Sequence, residues 1–230
     1  MALLAEDLLL LLLDDVSGKK TTDGTRLDYA LGGALLLELA IAGRIDVIEK
    51  QGWLGKERVV VIDPTPMGDV VLDEALSHLR TGKPRAPQSA VTSLSKHLRG
   101  TLLERLAARG VVRRASDRIL GLFPRERWPV QDTTHEQQLR GRLHDVLVLG
   151  LAADPRTSAL IALLSAIGQA HKVIDTPDGT DRKAVKTRAR HISEDAWAGT
   201  AVRKAVQAAQ AAVTATVVAA SVAASSGGSS

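Results

Sequence analysis

The segment LGGALLLELAIAGRI, residues 31–45, determines how the rest of the chain must pack. Read at a helical period, Leu35 and Leu39 lie on one apolar stripe, which neighbouring leucines and alanines widen. Glu38 is the only charged side chain in the first thirteen residues, so other elements must cover most of the helix. Gly43 stands where a helix C′ glycine belongs, because glycine adopts the left-handed conformation freely. The segment therefore predicts a central core helix.

The composition favours a helical fold. Of the 230 residues, 45% are apolar but only 2% are aromatic, so Leu, Val, Ile and Ala must build the core, a mixture that favours helices. No internal repeat or long linker interrupts the chain. We therefore predict a mainly α fold, a single domain over residues 1–224 around a central helix bundle with two small β-hairpins. A disordered Ser/Gly tail is predicted at 225–230.

Caps and turns divide the chain into predicted elements. Asp69 and Asp154 are good N-caps, Thr133 with Glu136 is a capping box, and residues 115–117 resemble a polar turn. Helices are predicted at about 3–15, 31–43, 69–79, 89–97, 100–109, 133–153, 155–167, 182–191 and 197–223, with hairpins at 44–49/57–63, around Trp53, and 111–114/118–123.

Several classes of function are excluded by composition and motif. The chain has no cysteine, which excludes disulfides and thiol chemistry, and its six histidines show no metal-ligand spacing. Nucleophile-elbow, phosphate-loop and dinucleotide fingerprints are missing. The leucine run at 8–13 is too short to span a bilayer, and no signal peptide precedes it. We therefore predict a cytoplasmic protein that is not an enzyme and uses no cofactor or metal.

Basic residues concentrate between Lys96 and Arg127, where nine cations face three acids. Lys96 and Arg99 are three residues apart and share one helical face if the helix continues through Gly100. The adjoining hairpin carries Phe123. Three interpretations fit this pattern: a surface for anionic lipid, a DNA reader with a recognition helix at 100–109 and a wing at 113–123, or a solvated arginine-rich face.

The ordered motifs of the chain resemble those of the Golgi phosphoprotein 3 family. The resemblance covers nearly the whole chain, and the set of motifs is specific in its order and spacing although each motif is weak alone. It rests on residues 3–13 with Glu6, LLLELAIAGRI at 35–45, PMGDVVLDEAL at 66–76, LLERLAARGVV at 102–112, LGLFP at 120–124 and DPRTSALIALL at 154–164.

This resemblance implies a lipid site. Eukaryotic members of the family are non-enzymatic peripheral membrane proteins that bind phosphatidylinositol 4-phosphate and hold cytosolic tails of glycosyltransferases. The resemblance places two of the family's headgroup-binding arginines on Lys96 and Arg99. Its other pocket positions, an arginine and a tryptophan, fall on Gly32 and Asp23, so this sequence departs from the family there. The membrane-contacting hairpin residues are expected to be Leu122, Phe123 and Trp128.

The resulting prediction is a membrane adaptor on the inner face of a membrane. Its expected partners are an anionic phospholipid surface and cytosolic tails of membrane proteins; the sequence leaves homo-oligomers open. The arginine- and alanine-rich composition suggests a bacterial, actinobacterial member. A winged-helix-like nucleic-acid-binding protein is the alternative, although nucleic acid is the less favoured partner.

Overall fold

A computed structural model describes residues 2–49, 56–119, 123–174, 181–195 and 200–226 of the chain. The described elements confirm the mainly α fold with small antiparallel hairpins. The helices are α1 (Leu4–Leu11), α2 (Gly24–Ile41), α3 (Val70–Arg80), α4 (Pro87–Leu94), α5 (Leu98–Ala108), α6 (Thr134–His144), α7 (Pro155–Ala166), α8 (Arg182–Asp195) and α9 (Thr200–Ser226); the strands are β1 (Ile45–Glu49), β2 (Glu57–Val61), β3 (Ala115–Ile119) and β4 (Phe123–Arg127).

Helix α2 is the centre of the bundle and packs against α1, α4, α7 and α9. Its leucines are buried on nearly the whole circumference, as the lack of charge predicts. Gly33 lets two neighbours approach closely, because a Cβ there would lie 3.0 Å from Val213 and 3.1 Å from Leu163. Among the described helices, none combines the length and hydropathy that crossing a bilayer requires. The domain is therefore held together by side-chain packing around α2.

Helix α2 begins seven residues before the predicted start at 31. Asp23 caps the helix by accepting hydrogen bonds from two main-chain N–H groups. The start was missed because polar side chains at positions 25, 26 and 28 interrupt the apolar periodicity of the first turns. The predicted end is confirmed. Gly43 has φ of +68°, and Arg44 N donates to Leu39 O at 2.9 Å, the long bond of a Schellman motif.

Aspartate caps were predicted more reliably than the capping box. Asp69 and Asp154 each accept hydrogen bonds from two N–H groups, as expected of N-caps. Thr133 makes no such bond, and the predicted partner Glu136 points inward instead. Asp132 accepts from the first turn of α6 at 2.9 Å. The capping-box prediction was wrong because Glu136 is buried and paired with the partly exposed Arg140.

The two hairpins differ in how well their registers were predicted. Strands β1 and β2 pair as expected, with Val47 opposite Val59. In the second hairpin the predicted turn, residues 115–117, is part of β3, and Ala115 pairs with Arg127. Polar residues in β3 resemble a turn in sequence, but a bridge between Val112 and Val130 extends the ladder below them.

Some sequence predictions fall outside the described residues. These are the first hairpin tip with Trp53, Leu122, and residues 227–230 of the predicted tail. The tail prediction began too early, since residues 225 and 226 belong to α9. Helix α6 also ends earlier than predicted, and a π-helical turn, Asp145–Leu149, follows it.

Charged residues at the start of α1 are buried and paired. Glu6 is fully buried and lies 3.1 Å from Arg105 Nε and 2.8 Å from Arg109 Nη2. Its other oxygen accepts from Leu3 N at 2.8 Å, which caps the helix. Arg105 also contacts Asp69, the cap of α3, at 2.8 Å. Helices α1, α3 and α5 are thus joined through one guanidinium.

Asp7 forms the second half of this network. Its carboxylate, 3% exposed, lies 3.0 Å from Arg156 Nη2 and 2.7 Å from His135 Nε2. Arg156 reaches on to Glu38 of α2 at 2.7 Å, and Glu38 accepts from Leu4 N at 2.7 Å. Burial raises the pKa of Glu38, and the bond to Arg156 offsets part of that rise. Arg156 therefore compensates carboxylates from two central helices.

We predict that Arg156→Leu lowers the free energy of unfolding by about 3–5 kcal/mol, because removing one partner leaves buried carboxylates uncompensated. Urea denaturation measures the loss. Arg142→Leu is the matched control, since Arg142 lies exposed on α6 and, within the described residues, bonds a main-chain carbonyl alone. Equal unfolding midpoints for the two variants would contradict the structural role of Arg156.

Candidate functional site

A cavity of about 760 Å³ opens between the loop before α2, the start of α5 and the end of β4. Both cationic and acidic side chains line it, together with one aromatic ring. The residues on which the following argument depends are Lys19, Lys20, Asp28, His97, Arg99, Glu104, Glu126 and Trp128. The cavity combines positive and negative groups, so it is suited to a polar, charged ligand.

The loop that carries the two lysines is tightly built. Asp14 accepts from Ser17 N through its side chain and from Gly18 N through its carbonyl, both at 2.7 Å. Gly18 has φ of +61°, and a Cβ there would overlap the backbone of Trp128. Trp128 N donates to Gly18 O at 3.3 Å. Only glycine fits this close approach, which fixes Lys19 and Lys20 against the end of β4.

Two cations converge above the first turn of α2. Lys20 Nζ and Arg99 Nη1 both lie within 3.2 Å of the point that a Cβ on Gly24 would occupy. Asp28 is 3.4 Å from Arg99 Nη1, and burial raises the pKa of its carboxyl group, while Arg99 and Lys20 oppose that rise. Asp23 already accepts from the N–H groups of residues 25 and 26, so the positive charge at this point comes from the two side chains. A phosphate group would meet two cationic hydrogen-bond donors there.

The opposite wall of the cavity is formed by Trp128. Its side chain is 7% exposed, and the guanidinium of Arg114 lies 5.7 Å from the ring centroid. Arg114 also pairs with Glu104, at 3.3 Å, and with Glu126. The membrane contact predicted for Trp128 stays a prediction; in the structure the ring is buried and forms a wall of the cavity beside a cation and two carboxylates.

Lys96 and Arg99 do not share a helical face. Helix α4 ends at Leu94 and α5 starts at Leu98, and His97 between them takes the left-handed conformation with φ of 60°. This residue turns the chain, so Lys96 lines a separate cavity of about 290 Å³ while Arg99 lines the larger one. The predicted pairing of the two cations was therefore wrong, although lipid contact by Lys96 stays a prediction.

The two departed family positions do not line the cavity either. Gly32 lies in the middle of α2, not at its start, and a Cβ there would be 2.5 Å from Val91 O. Asp23 is the N-cap of α2 rather than a loop residue. Phe123 begins β4, and its side chain and Leu122 are outside what the structure describes. Their membrane contact stays a prediction.

Sequence reasoning missed most of the cations of the cavity. Lys19 and Lys20 follow Gly18 in a polar loop, and that Gly-Lys-Lys run was the available signal. His97 gave none, because a left-handed histidine is not visible in a helical pattern. Only Arg99 was predicted at the position where the cavity lies.

Fold and cavity together define a helical domain with a cavity, lined by both cations and carboxylates, beside an antiparallel hairpin. A family model described as Golgi phosphoprotein 3 (GPP34) matches residues 4–209, and the chain therefore belongs to that family. This confirms the resemblance drawn from the motifs.

Two yeast relatives are similar in sequence. The chain is 30% identical over 162 residues to vacuolar protein sorting-associated protein 74 of Eremothecium gossypii, covering 63% of this chain and 49% of the relative. It is 28% identical over 161 residues to the protein of the same name from Schizosaccharomyces pombe, covering 63% and 48%. The chain spans about half the length of the curated relatives it matches.

A buried carboxyl group lies beneath the loop at residues 14–20, which carries Lys19 and Lys20 and is called the lysine loop below. Glu136 is 1% exposed and accepts from Arg140 Nε at 2.8 Å. Burial raises the pKa of Glu136 to about 7; Arg140 opposes the rise, and the nearby Asp15 adds to it. Asp15 belongs to the same loop as the two lysines, and its carbonyl accepts from Val130 N at 3.1 Å. Asp15 thus connects the carboxyl group of Glu136 to the loop that forms one wall of the cavity.

We predict that protein stability falls as the pH rises from about 4.5 through about 7, because the folded protein holds the Glu136 proton more tightly than the unfolded chain. Urea midpoints should be lower at about pH 8 than at about pH 5. Glu136→Gln should flatten this dependence, whereas Glu74→Gln, at an exposed position of α3, should not. Parallel profiles for the parent and Glu136→Gln would contradict the assignment.

We also predict that Gly32→Ala destabilises the protein by about 1–3 kcal/mol, because the added methyl group overlaps Val91 O across the α2–α4 contact. Gly100→Ala is the matched control, since a Cβ there has no neighbour within 4 Å and alanine favours a helix. Thermal unfolding measures both. A stable Gly32→Ala variant would show that the two helices can separate at no cost.

Proposed function

We propose that this protein is a non-enzymatic peripheral membrane adaptor whose cavity takes the phosphate of an anionic phospholipid headgroup. The observation that carries the proposal is the convergence of Lys20 Nζ and Arg99 Nη1 on one point above α2. Charge-assisted hydrogen bonds to phosphate contribute about 1.5–3 kcal/mol each. By its family membership the expected lipid is phosphatidylinositol 4-phosphate.

The acidic groups of the cavity refine this proposal. Asp28 is the ion-pair partner of Arg99, so a bound phosphate competes with that carboxylate. Asp28 and Glu104 also offer acceptors for hydroxyl groups. A phosphorylated polyol headgroup satisfies both kinds of group, whereas a simple anionic headgroup satisfies only the cations. Lys20 supplies the charge that the family position at Gly32 lacks.

The adaptor role includes the inner face of a membrane and cytosolic tails of membrane proteins as partners. Its support is the family, together with relatives whose names associate them with vacuolar protein sorting. The nucleic-acid alternative is less well supported, because Arg105 and Arg109 of the supposed recognition helix α5 contact buried Glu6. Those guanidiniums are committed to the fold.

We predict that Lys20→Ala with Arg99→Ala weakens binding to vesicles containing phosphatidylinositol 4-phosphate by about 2 kcal/mol, or roughly thirtyfold, at about 1 kcal/mol for each cation. Flotation with phosphatidylcholine vesicles carrying phosphatidylinositol 4-phosphate or phosphatidylserine measures the loss and the headgroup preference.

The matched control is Lys96→Ala, which removes an exposed cation outside the cavity, and thermal unfolding checks the fold of each variant. If the double variant floats as well as the parent, the cavity is not the headgroup site. A loss in Lys96→Ala equal to that in Arg99→Ala would instead support the family positions over the cavity.

A further inference from the structure

Helix α8 carries a stripe of cations at a spacing of four residues. Arg182, Lys186 and Arg190 are exposed and follow each other along one line of the helix. Val185 and Ala189, which each precede a cation of the stripe by one residue, are buried where α8 packs on α7, whereas the three cations stay exposed at the edge of that face. The stripe therefore takes no part in the core.

Two further basic residues face this stripe from the turn after α7. His171 lines a small cavity of about 270 Å³ together with Lys186 and Arg190. Burial lowers the pKa of His171, and so do Lys186, Lys172 and Arg182, in that order. We call these five residues the α8 basic surface: His171, Lys172, Arg182, Lys186 and Arg190.

The positive charge of the α8 basic surface is not compensated within the described residues. None of its members forms an ion pair there, in contrast to Arg44, Arg105, Arg140 and Arg156, which each contact a carboxylate. Like charges four residues apart destabilise a helix, so the stripe is unfavourable for folding alone. An anionic partner would supply the missing compensation.

The surface borders the cavity site. Gln169, two residues before His171, donates from Nε2 to Thr22 Oγ1 at 3.2 Å. Thr22 is two residues after Lys20, directly before the cap of α2. The turn that carries His171 and Lys172 therefore lies close to the loop that carries Lys19 and Lys20.

We propose that the α8 basic surface is a second membrane contact, which rests on a bilayer of anionic phospholipid while the cavity holds one headgroup. The inference rests on the proposed function and adds a contact that requires no headgroup in the cavity. A bilayer fits better than a small ligand because the cations extend over two turns of α8 and onto the neighbouring turn. This contact orients the domain on the membrane.

The test compares Lys186→Ala/Arg190→Ala with Arg80→Ala/Lys83→Ala, a control that removes the same charge from α3 and the turn after it. The probe is phosphatidylcholine vesicles in which about a third of the lipid is phosphatidylglycerol, and flotation is followed against salt. We expect about thirtyfold weaker binding and a shallower salt dependence for the α8 variant, and less than about a twofold change for the control.

Parallel flotation of Lys20→Ala/Arg99→Ala separates the two ideas. An α8 variant that floats like the parent, or a control that loses as much, overturns the inference and leaves the cavity proposal intact. A cavity variant that keeps its headgroup preference overturns the proposed function even if the α8 variant binds weakly. Duplex DNA that binds the parent at physiological salt through the same two α8 residues, with no flotation, overturns the membrane assignment.

Discussion

The ion pairs at the start of α1 are the constraint on which the rest of the domain depends. A helix that is buried on every side cannot leave Glu6 and Asp7 unpaired, because an isolated buried carboxylate is strongly unfavourable. Arg105 and Arg156 come from α5 and α7 to meet them. The order of the helices around α1 is thereby fixed by charge as well as by packing, and these arginines are removed from the binding surface.

This commitment changes the meaning of the arginine-rich segment. In the sequence, residues 96–127 form one basic region, but Arg105, Arg109 and Arg114 each contact a glutamate. Arg99 is the cation of this region that lines the cavity, and its partner Lys20 comes from the loop before α2. A charge count along the sequence thus overestimates the free positive charge of residues 96–127 and overlooks the loop with Lys19 and Lys20. The count does not show which arginines are paired with carboxylates in the fold.

The fold could be predicted further than the site. The apolar period of α2, the glycine at its end and the aspartate caps are local signals, and each gave the correct element. The site depends on tertiary events: the left-handed turn at His97, the inward Glu136, and the packing of Gly32 against α4. None has a local signature, so Lys96 was grouped with Arg99 and Trp128 with the exposed hairpin.

Because Gly18 and Trp128 approach so closely, the lysine loop and the base of the second hairpin must move together. Main-chain hydrogen bonds from Trp128 and Val130, directly after β4, join the hairpin to the loop. Because Gly18 has no side chain, the two backbones lie in direct contact. A tilt of the hairpin relative to α5 therefore carries the ammonium groups of Lys19 and Lys20 with it. The shape of the cavity therefore depends on the orientation of the hairpin, because one of its walls moves with the strand end.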